Sequence, residues 1–310
     1  MAGTLYLVAT PIGNLEDMTP RAVRTLNEVD VIAAEDTRGS IKLLNHFDIH
    51  TPMTSYHEYN KLSKAHVLVE RLLAGESVAV ITDAGTPGIS DPGEDLVRMA
   101  LANGITVSPV PGACAAVNAL VSSGKATRRF CFEAFLPMEK KERAEILEEL
   151  KTETRTIVMY EAPHRLVRTL QELFDALGDR EITLCRELTK KHETIEETTI
   201  AGALRKFGVR VEDAHAQTKA GSQTETAKTK EDDAFDKTET APRGEYVLVI
   251  AGRDRKELQK EKQAALSESM TIEEHFRKYL DQGMDRKEAM KAVAKDRGIS
   301  KRDVYQQLMT

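Results

Sequence analysis

The 310-residue sequence contains no tryptophan, and only 5% of its residues are aromatic. It has three cysteines, Cys114, Cys131 and Cys185, which lie far apart in the chain and form no Cys-x-x-Cys pair. This pattern argues against a disulfide framework or a zinc cage and is typical of a protein of the reducing cytoplasm. We expect all three cysteines to be small buried apolar residues.

The sequence also lacks a recognisable targeting or membrane-spanning segment. Its N-terminus has neither a basic region nor a long apolar run, so we expect no signal peptide. The stretch Met99–Gly124 carries no charge and is long enough to cross a bilayer. Pro109, Pro111 and Gly112 interrupt it, and this indicates a strand, a turn and a buried helix instead. We therefore predict a cytoplasmic protein that does not enter a membrane.

Positive charge is not in excess over the whole chain. The 44 Lys and Arg residues and 50 Asp and Glu residues give a net charge of −6, which excludes a uniformly basic nucleic-acid-binding protein. The charge is unevenly distributed, because residues 253–310 hold fourteen basic and eleven acidic residues. Lys287, Lys291 and Lys295 recur every four residues and share a helix face. This basic stripe suits phosphate contacts, although an ordinary solvated face is the alternative.

Strand and helix patterns alternate along the first 250 residues and predict an α/β fold with a largely parallel sheet in its first part. Thr19 and Pro20 mark one helix start, as N-cap and first helical residue. Asp91, Pro92 and Glu94 indicate a capping box before another helix. The predicted strands are 4–10, 29–34, 77–82, 105–110, 130–135, 156–160, 181–187 and 246–251. Further predicted helices are 40–47, 61–74, 112–123, 141–150 and 163–177.

Two segments depart from this alternation. Glu212–Glu245 contains no Leu, Ile, Val or Met, so it cannot bury enough apolar surface to offset its ordering entropy, and we predict a mobile insertion. Residues 253–263 form a charged linker or helix, and 271–280, 286–296 and 301–309 resemble the short helices of helix-turn-helix bundles. We predict α/β domains at 1–120 and 121–252, followed by a basic helical module at 253–310.

Polar or glycine-rich segments follow the predicted strands. Asp83–Gly93 holds three glycines and two prolines, and such a loop at the carboxyl end of a strand is a usual ligand site in an open α/β sheet. Acids and bases stand at four further strand ends, in Ala34–Arg38, Ser55–Asn60, Glu161–Arg165 and Arg186–Glu193. A turn-rich connection or a solvated loop is the alternative at each place.

Several common nucleotide and metal motifs are absent. No Gly-x-Gly-x-x-Gly follows the first strand and no Walker pattern occurs, which disfavours ordinary dinucleotide and P-loop nucleotide binding. The eight histidines are scattered and no His-Glu-x-x-His motif is present. Neither a metal site nor a Ser-His-Asp arrangement can therefore be assembled from the sequence, and we predict no metal.

Eight motifs in fixed order carry a resemblance to a known family. They run from Leu5 to Gly252 as LYLVATPIGNLEDMTPRAV, AAEDTR, SYHEYN, VITDAGTPGISDPG, PVPGACA, MYEAPHRL, CRELTKKHE and GEYVLVIAG. Together they resemble the bacterial small-subunit ribosomal RNA methyltransferases of the tetrapyrrole methylase superfamily. The resemblance implies a two-domain, class III S-adenosylmethionine-dependent methyltransferase fold with a small C-terminal helical module, and a homodimer without metal.

The resemblance also implies an activity and its residues. S-adenosylmethionine would lie in the cleft between the domains, and the methyl group would pass to the 2′-hydroxyl of cytidine 1402 in 16S ribosomal RNA, within the assembled small subunit. The positions that match the donor-binding motifs are Pro11, Gly13, Asp83, Ala84, Gly85, Thr86, Pro87, Gly88, Tyr160, Ala162 and Leu188.

A general base would help remove the hydroxyl proton. The candidates for this role, or for orienting the ribose, are polar residues at strand ends: Glu35, Asp36, His57 and Lys190. Arginine stays charged and suits phosphate contacts better, so the predicted RNA-binding residues are Arg38, Arg165, Lys287, Lys291 and Lys295.

Two other functions remain open at this point. One is a methylase of a small tetrapyrrole-like metabolite on the same fold, since a fold does not fix a substrate. A small substrate would have no need of the basic C-terminal module. The other is a non-catalytic protein that binds ribosomal RNA or assists ribosome assembly.

Overall fold

The structure is a computed structural model that describes residues 1–211 and 241–309. The chain divides into two compact units, one made of Met1–Leu150 and Arg155–Ala251 and the other of Lys151–Thr154 and Gly252–Thr310. Both predicted α/β domains fall almost entirely within the larger unit, and their boundaries stay a prediction. Most of the predicted insertion at 212–245 lies outside the described residues.

The first sheet of the larger unit confirms the predicted parallel α/β arrangement. Its five strands are β1 (Thr4–Val8), β2 (Val31–Ala34), β3 (Met53–Ser55), β4 (Val78–Ile81) and β5 (Thr106–Val110). They lie in the order β3-β2-β4-β1-β5, and every neighbouring pair is parallel. Every residue of β2 and β4 is buried, as expected for central strands of a sheet that is covered on both faces.

Five helices accompany this sheet, after a short 3₁₀ turn at Leu15–Asp17. They are α1 (Pro20–Glu28), α2 (Thr37–His46), α3 (Lys61–Leu73), α4 (Gly93–Ala102) and α5 (Ala115–Ser122). The predicted start of α1 is confirmed, because the Thr19 side chain accepts a hydrogen bond from the N–H of Ala22 and Pro20 occupies the first turn.

The predicted capping box before α4 is wrong. The N-cap of α4 is Pro92, and no side chain caps this helix. Asp91 instead turns its carboxylate back into the preceding loop, where it accepts hydrogen bonds from the backbone of Gly88, Ile89 and Gly93. The acidic residue thus organises the loop and, through the N–H of Gly93, the junction of the loop with α4.

The second sheet is mixed. Its strands are β6 (Phe130–Phe132), β7 (Thr156–Glu161), β8 (Glu181–Arg186), β9 (Thr194–Thr199) and β10 (Tyr246–Ile250), in the order β6-β7-β10-β8-β9. Only the β6–β7 pair is parallel. The helices of this half are α6 (Lys140–Leu150), α7 (Pro163–Leu177) and α8 (Ile200–Lys206). The sequence did not predict β9, a largely exposed edge strand with a polar sequence, or the short α8.

Alternate residues of the strands face different hydrophobic clusters, as the period of two requires. In the first sheet, Val78 and Val80 pack in one cluster, and Ala79 and Ile81 pack in another. In the second sheet, one face packs with residues of α7 and α8. The other face packs against α5, which buries Ala116, Ala119 and Leu120 beside Val158, Val247 and Val249. The helix that follows the first sheet is therefore anchored on the second sheet.

The smaller unit is helical. It contains α9 (Arg255–Ser269), α10 (Ile272–Asp281), α11 (Arg286–Arg297) and α12 (Lys301–Leu308). The segment predicted as a charged linker or helix is thus a helix. Its apolar core includes Phe276, Val293 and Val304, and complete capping boxes begin α10 and α12. In the described part of the chain, no helix is long and apolar enough to span a membrane.

Tyr56 makes a testable contribution to the stability of the part of the larger unit that contains the first sheet. Its side chain is fully buried, and its hydroxyl donates a 2.8 Å hydrogen bond to the carbonyl of Pro92. That carbonyl also accepts from the N–H of Asp95, so it keeps one partner when the hydroxyl is removed. Tyr56→Phe should therefore lower the free energy of unfolding by about 1 kcal/mol, as for one net hydrogen bond.

Urea denaturation followed by circular dichroism measures this difference. Tyr59→Phe is the matched control, because Tyr59 is 98% exposed and its loss of a hydroxyl should change the stability by less than about 0.5 kcal/mol. Equal effects of the two substitutions would contradict the structural role of the Tyr56 hydroxyl.

Candidate active site

A cavity of about 580 Å³ opens where loops of both sheets meet in the larger unit. This volume is in the range of cavities that hold a small organic ligand. Its walls come from the loop after β4, the segments that follow β7 and β8, and the start of β10. Apolar side chains alternate with charged ones in the lining, which includes Ile12, Asp83, Asp91, Cys114, Phe135, Tyr160, Glu161, His164, Leu188, Lys190, Glu245 and Val247.

The loop after β4 presents backbone to the cavity at Gly85. This residue has a φ of +86° and exchanges two backbone hydrogen bonds with Thr10, at 2.9 and 3.1 Å. A Cβ atom at Gly85 would lie 3.2 Å from the side chain of Ile12. Glycine has no Cβ atom, so it accommodates both the left-handed conformation and the close approach of the two loops.

Asp91 holds the far end of the same loop. Its carboxylate lies 2.8 Å from the N–H of Gly88, 2.8 Å from that of Gly93 and 3.2 Å from that of Ile89. A Cβ on Gly93 would come within 2.7 Å of this carboxylate. The loop is thus a closed, hydrogen-bonded structure whose shape depends on one acidic side chain.

The opposite wall contains a three-residue ion cluster. The ammonium of Lys190 lies 3.0 Å from Glu187 Oε1 and 2.8 Å from Glu245 Oε2. Burial lowers the pKa of Lys190, but its hydrogen bonds to Glu245 and Glu187 outweigh burial and raise the pKa above its usual value. Burial raises the pKa of Glu187, but the Lys190 and Glu245 hydrogen bonds lower it overall. Glu187 and Lys190 are therefore both charged at neutral pH.

Backbone strain is concentrated around this cavity. In the residues that the structure describes, five positions other than glycine have a positive φ. Ser90 and Glu187 line the cavity, while Ala134 and Thr189 each adjoin a lining residue. Left-handed conformations of such residues are costly and tend to cluster at functional sites. The strain therefore supports the cavity as the functional site.

The buried carboxylate of Glu161 fixes the third wall. It accepts hydrogen bonds from the N–H of Ala162 and the hydroxyl of Thr169. Arg165 lies 3.4 Å from it and donates to the carbonyl of Leu136. With a side chain only 17% exposed, Arg165 is held inside the protein, so the structure does not present it as the predicted phosphate contact.

Tyr160 completes this wall. Its hydroxyl accepts a hydrogen bond from the N–H of Ala116 at 3.2 Å, and burial raises the pKa of Tyr160 to about 12. Cys114 and Cys185 also line the cavity. Cys185 is buried as expected, and burial raises its pKa to about 11, whereas Cys114 and Cys131 are only partly buried, contrary to the sequence expectation.

The structure brings seven of the eleven predicted donor-binding positions to the cavity wall. These are Asp83, Ala84, Gly85, Thr86, Tyr160, Ala162 and Leu188. Pro11, Gly13, Pro87 and Gly88 are not among the lining residues. Gly13 instead leaves space for Lys190, because a Cβ there would lie 2.3 Å from the Lys190 Cγ atom.

The structure places the four candidate bases in different environments. Lys190 lines the cavity. Glu35 accepts a 2.7 Å hydrogen bond from the hydroxyl of Thr82, and the N–H of Asp36 donates to Asp83 at 3.1 Å. These two acids thus support lining residues without lining the cavity themselves.

His57 is not brought to the cavity, and its ring contacts Asn60 and Tyr59 instead. The predicted RNA-binding residues other than Arg165 are accessible. The Arg38 side chain is 93% exposed, and Lys287, Lys291 and Lys295 are exposed along α11 in the smaller unit. In residues 1–211 and 241–309, no group of three or more His, Cys, Asp or Glu side chains is placed to hold a metal ion.

Several lining residues were not among the site residues predicted from the sequence, and Phe135, Glu187 and Glu245 are three of them. Glu187 stands inside the motif CRELTKKHE, so the signal was present but pointed to the neighbouring lysine. Glu245 follows the apolar-poor segment, and nothing in the sequence connects it to Lys190. Only the pairing of β10 with β8 brings Glu245 and Glu187 together.

Comparisons with known proteins agree with this geometry. Residues 4–204 match the family model of Tetrapyrrole (Corrin/Porphyrin) Methylases. The chain is 44% identical over 303 residues to the proteins named Ribosomal RNA small subunit methyltransferase I of Halalkalibacterium halodurans and of Bacillus subtilis. Each comparison covers 98% of this chain and 93% of the relative. The Haemophilus influenzae protein of the same name is 53% identical over 201 residues, 64% of this chain and 71% of the relative.

Solved structures share the fold at low sequence identity. Diphthine synthase aligns with a TM-score of 0.56 at 11% identity, over 80% of this chain and 90% of its own. Uroporphyrin-III C-methyl transferase from Thermus thermophilus, complexed with S-adenyl homocysteine, aligns with a TM-score of 0.51 at 19% identity, over 80% and 97%. Because the family model covers more than half of the sequence and relatives match it almost end to end, the chain belongs to the tetrapyrrole methylase family.

Proposed function

We propose that this protein uses S-adenosyl-L-methionine to methylate the 2′-hydroxyl of cytidine 1402 in 16S ribosomal RNA. It acts in the cytoplasm as a homodimer on the assembled small ribosomal subunit. The observation that carries the proposal is the 44% identity to small-subunit ribosomal RNA methyltransferases over 98% of the chain, because a match of that length extends through the basic helical unit. The other two candidate functions receive no comparable support, since the tetrapyrrole enzymes resemble the chain only in fold.

The cavity fits the methyl donor in size and charge. S-adenosylmethionine supplies an activated methyl group on a positively charged sulfur, so a site for it benefits from negative side chains. Five carboxylates line the cavity against one lysine: Asp83, Asp91, Glu161, Glu187 and Glu245. We assign donor binding to the lining residues Asp83, Ala84, Gly85, Thr86, Tyr160, Ala162 and Leu188, while the other predicted positions shape the loops around them.

The main task of the protein in this reaction is alignment, because the leaving group is already activated. Lys190 serves as a fixed cation and hydrogen-bond donor rather than as a base, since its raised pKa keeps it protonated. Glu187 is ionised, lines the cavity and is held by Lys190 and by the N–H of Glu245. We assign the acceptance of the ribose hydroxyl proton to Glu187. Glu35 acts as a positioning residue through Thr82, whereas Asp36 holds Asp83 through its backbone N–H.

The first prediction from this site concerns donor binding. Asp91→Asn leaves one carbonyl oxygen where a carboxylate now accepts from three backbone N–H groups. The loop should lose its shape, and the Kd of S-adenosylhomocysteine should rise about tenfold, corresponding to the loss of a charge-assisted hydrogen bond. Isothermal titration calorimetry measures the change. Glu94→Gln is the control, because Glu94 pairs only with the exposed Arg98, and an equal weakening there would contradict the role of Asp91.

The second prediction concerns the pH dependence of the chemical step. The lowered pKa of Glu187 and the raised pKa of Lys190 keep both residues charged across the neutral range. Single-turnover methylation should therefore vary little between about pH 6.5 and 9. A rate that rises tenfold with each pH unit through this range would instead indicate that deprotonated Lys190 is the base.

Substitutions of Lys190 distinguish a role of its positive charge from a role as a proton acceptor. Lys190→Met removes the cation that holds Glu187 and Glu245. It should slow single-turnover methylation by about 10- to 100-fold, because these two carboxylates would no longer be held in position. Lys190→Arg keeps the charge and should retain most of the rate, which a proton-accepting lysine would not allow because arginine stays protonated.

The proposed function is tested by mapping 2′-O-methyl groups on small-subunit RNA from cells with and without this protein. Purified protein and S-adenosylmethionine should restore one mark on assembled subunits that lack it. A mark that persists without the protein, or a restored mark at another nucleotide, would overturn the assignment of cytidine 1402.

The basic face of α11 allows a second test of the proposed function. Replacing Lys287, Lys291 and Lys295 together with Gln should weaken binding to the subunit and reduce the slope of log affinity against log salt by about 2 to 3. The triple Arg variant keeps the charges and should bind normally. Unchanged methylation by the Gln variant would favour a small-molecule substrate.

A further inference from the structure

Phe135 lines the cavity and is 47% exposed. In the described ranges, the two tyrosines of the lining, Tyr160 and Tyr246, are partly or fully buried. Met138 lies three residues further along the chain and is 74% exposed. Single exposed apolar side chains are common on protein surfaces, so the exposure of Phe135 is informative only because the ring lines the cavity.

The exposure of Phe135 does not come from a loosely held loop. On one side, the carbonyl of Ala134 accepts a 2.7 Å hydrogen bond from the N–H of Tyr160. On the other side, Leu136 is 1% exposed, and its carbonyl accepts a 2.7 Å hydrogen bond from Arg165. Both neighbours of Phe135 are thus fixed to the second sheet or to α7, and the ring is held at the rim between them.

Holding the ring there has an energetic cost. Ala134 has a φ of +48°, a left-handed conformation that is unfavourable for a residue with a Cβ atom. Strain of this kind persists where the surrounding structure requires it, and it clusters at sites that bind ligands. The strained residue immediately precedes Phe135, so it sets the direction in which the chain presents the ring.

One side of the ring already has an aromatic partner. The ring centroids of Phe135 and Tyr160 are 5.6 Å apart and tilted by 56°, and Phe132 contacts Tyr160 edge-on at 5.1 Å. Tyr160 is itself fixed through its hydroxyl to the N–H of Ala116. Phe135 is therefore supported on one side by a rigid aromatic group while nearly half of its surface remains open.

We propose that Phe135 is a stacking platform for an unstacked nucleobase of the substrate RNA, namely the base of the nucleotide that is methylated. This inference rests on the proposed function. Bases of single-stranded RNA can be splayed out of their stack, and aromatic side chains are the usual surface on which such a base is stacked. A ring at the rim of the donor cavity would hold the base while the attached ribose enters.

The test compares Phe135→Leu, which keeps the apolar bulk but removes the π-face, with Phe135→Tyr, which keeps the ring. Phe130→Leu is the matched control, because Phe130 is 42% exposed on β6 but lies outside the cavity lining. Each protein is assayed for steady-state methylation of assembled small subunits that lack the mark. The Kd of S-adenosylhomocysteine is measured by calorimetry in parallel.

Phe135→Leu should lower kcat/KM for the subunit about tenfold or more, mainly through KM, as expected for the loss of one stacked base. Phe135→Tyr and Phe130→Leu should stay within about twofold of the wild type, and the Kd of S-adenosylhomocysteine should be unchanged in all variants.

Three results would overturn the stacking role. Phe135→Leu could be as active as the wild type, Phe135→Tyr could lose as much activity as Phe135→Leu, or Phe135→Leu could weaken S-adenosylhomocysteine binding by the same factor. The last result would mean that the ring serves the donor rather than the RNA. A wild-type protein that binds S-adenosylhomocysteine but methylates no ribosomal RNA would overturn the proposed function itself, and this inference with it.

Discussion

The packing of α5 against the second sheet is the interaction on which the active site depends. The helix follows β5 of the first sheet, yet it buries Ala116 and Ala119 against Val158, Val247 and Val249 of the second. Small side chains on this face allow the helix to approach the strands closely. Because the cavity takes its walls from loops of both sheets, it can exist only when this contact holds them together. The hydrogen bond from the N–H of Ala116 to the Tyr160 hydroxyl adds a polar link at the same place.

Around the cavity, each charged group of the ion clusters has a partner of opposite charge before any ligand binds. Lys190 is shared by Glu187 and Glu245, while Glu161 is paired with Arg165 and with backbone and hydroxyl donors. Buried charges without such partners would be expensive to desolvate. This arrangement keeps the charged groups in fixed positions, so that little reorganisation is needed when a cationic donor binds and reacts.

Strained backbone conformations and an exposed apolar ring are also found around this cavity. The positive φ angles of Ser90, Ala134, Glu187 and Thr189 place costly backbone conformations around one cavity, and the exposed ring of Phe135 lies beside one of them. Neither feature improves the stability of the free protein. Together with the hydrogen bonds that enforce them, they are the features of the rim on which the proposed RNA contact rests.

The sequence by itself determined the α/β class and most strands and helices of the larger unit, and it predicted the loop Asp83–Gly93 as a ligand site, several residues of which line the cavity. These features follow from local periodicity and from glycine and proline chemistry, which need no tertiary context. The start of α1 at Thr19 and Pro20 was correct for this reason. The edge strand β9 escaped prediction, because a solvated strand needs no apolar pattern and its identity depends on pairing with β8.

Tertiary structure alone decided which polar residues share the cavity. The sequence did not rank Glu35, Asp36, His57 and Lys190, yet among them only Lys190 lines the site. The Asp36 carboxylate caps α2 and His57 contacts Asn60 before α3, whereas Glu35 is held by the hydroxyl of the distant Thr82. Glu245 joins Lys190 across 55 residues of chain through the pairing of β10 with β8. Local sequence fixes the backbone conformation of each loop, whereas contacts between distant segments fix which loops meet and whether a charged side chain keeps its proton.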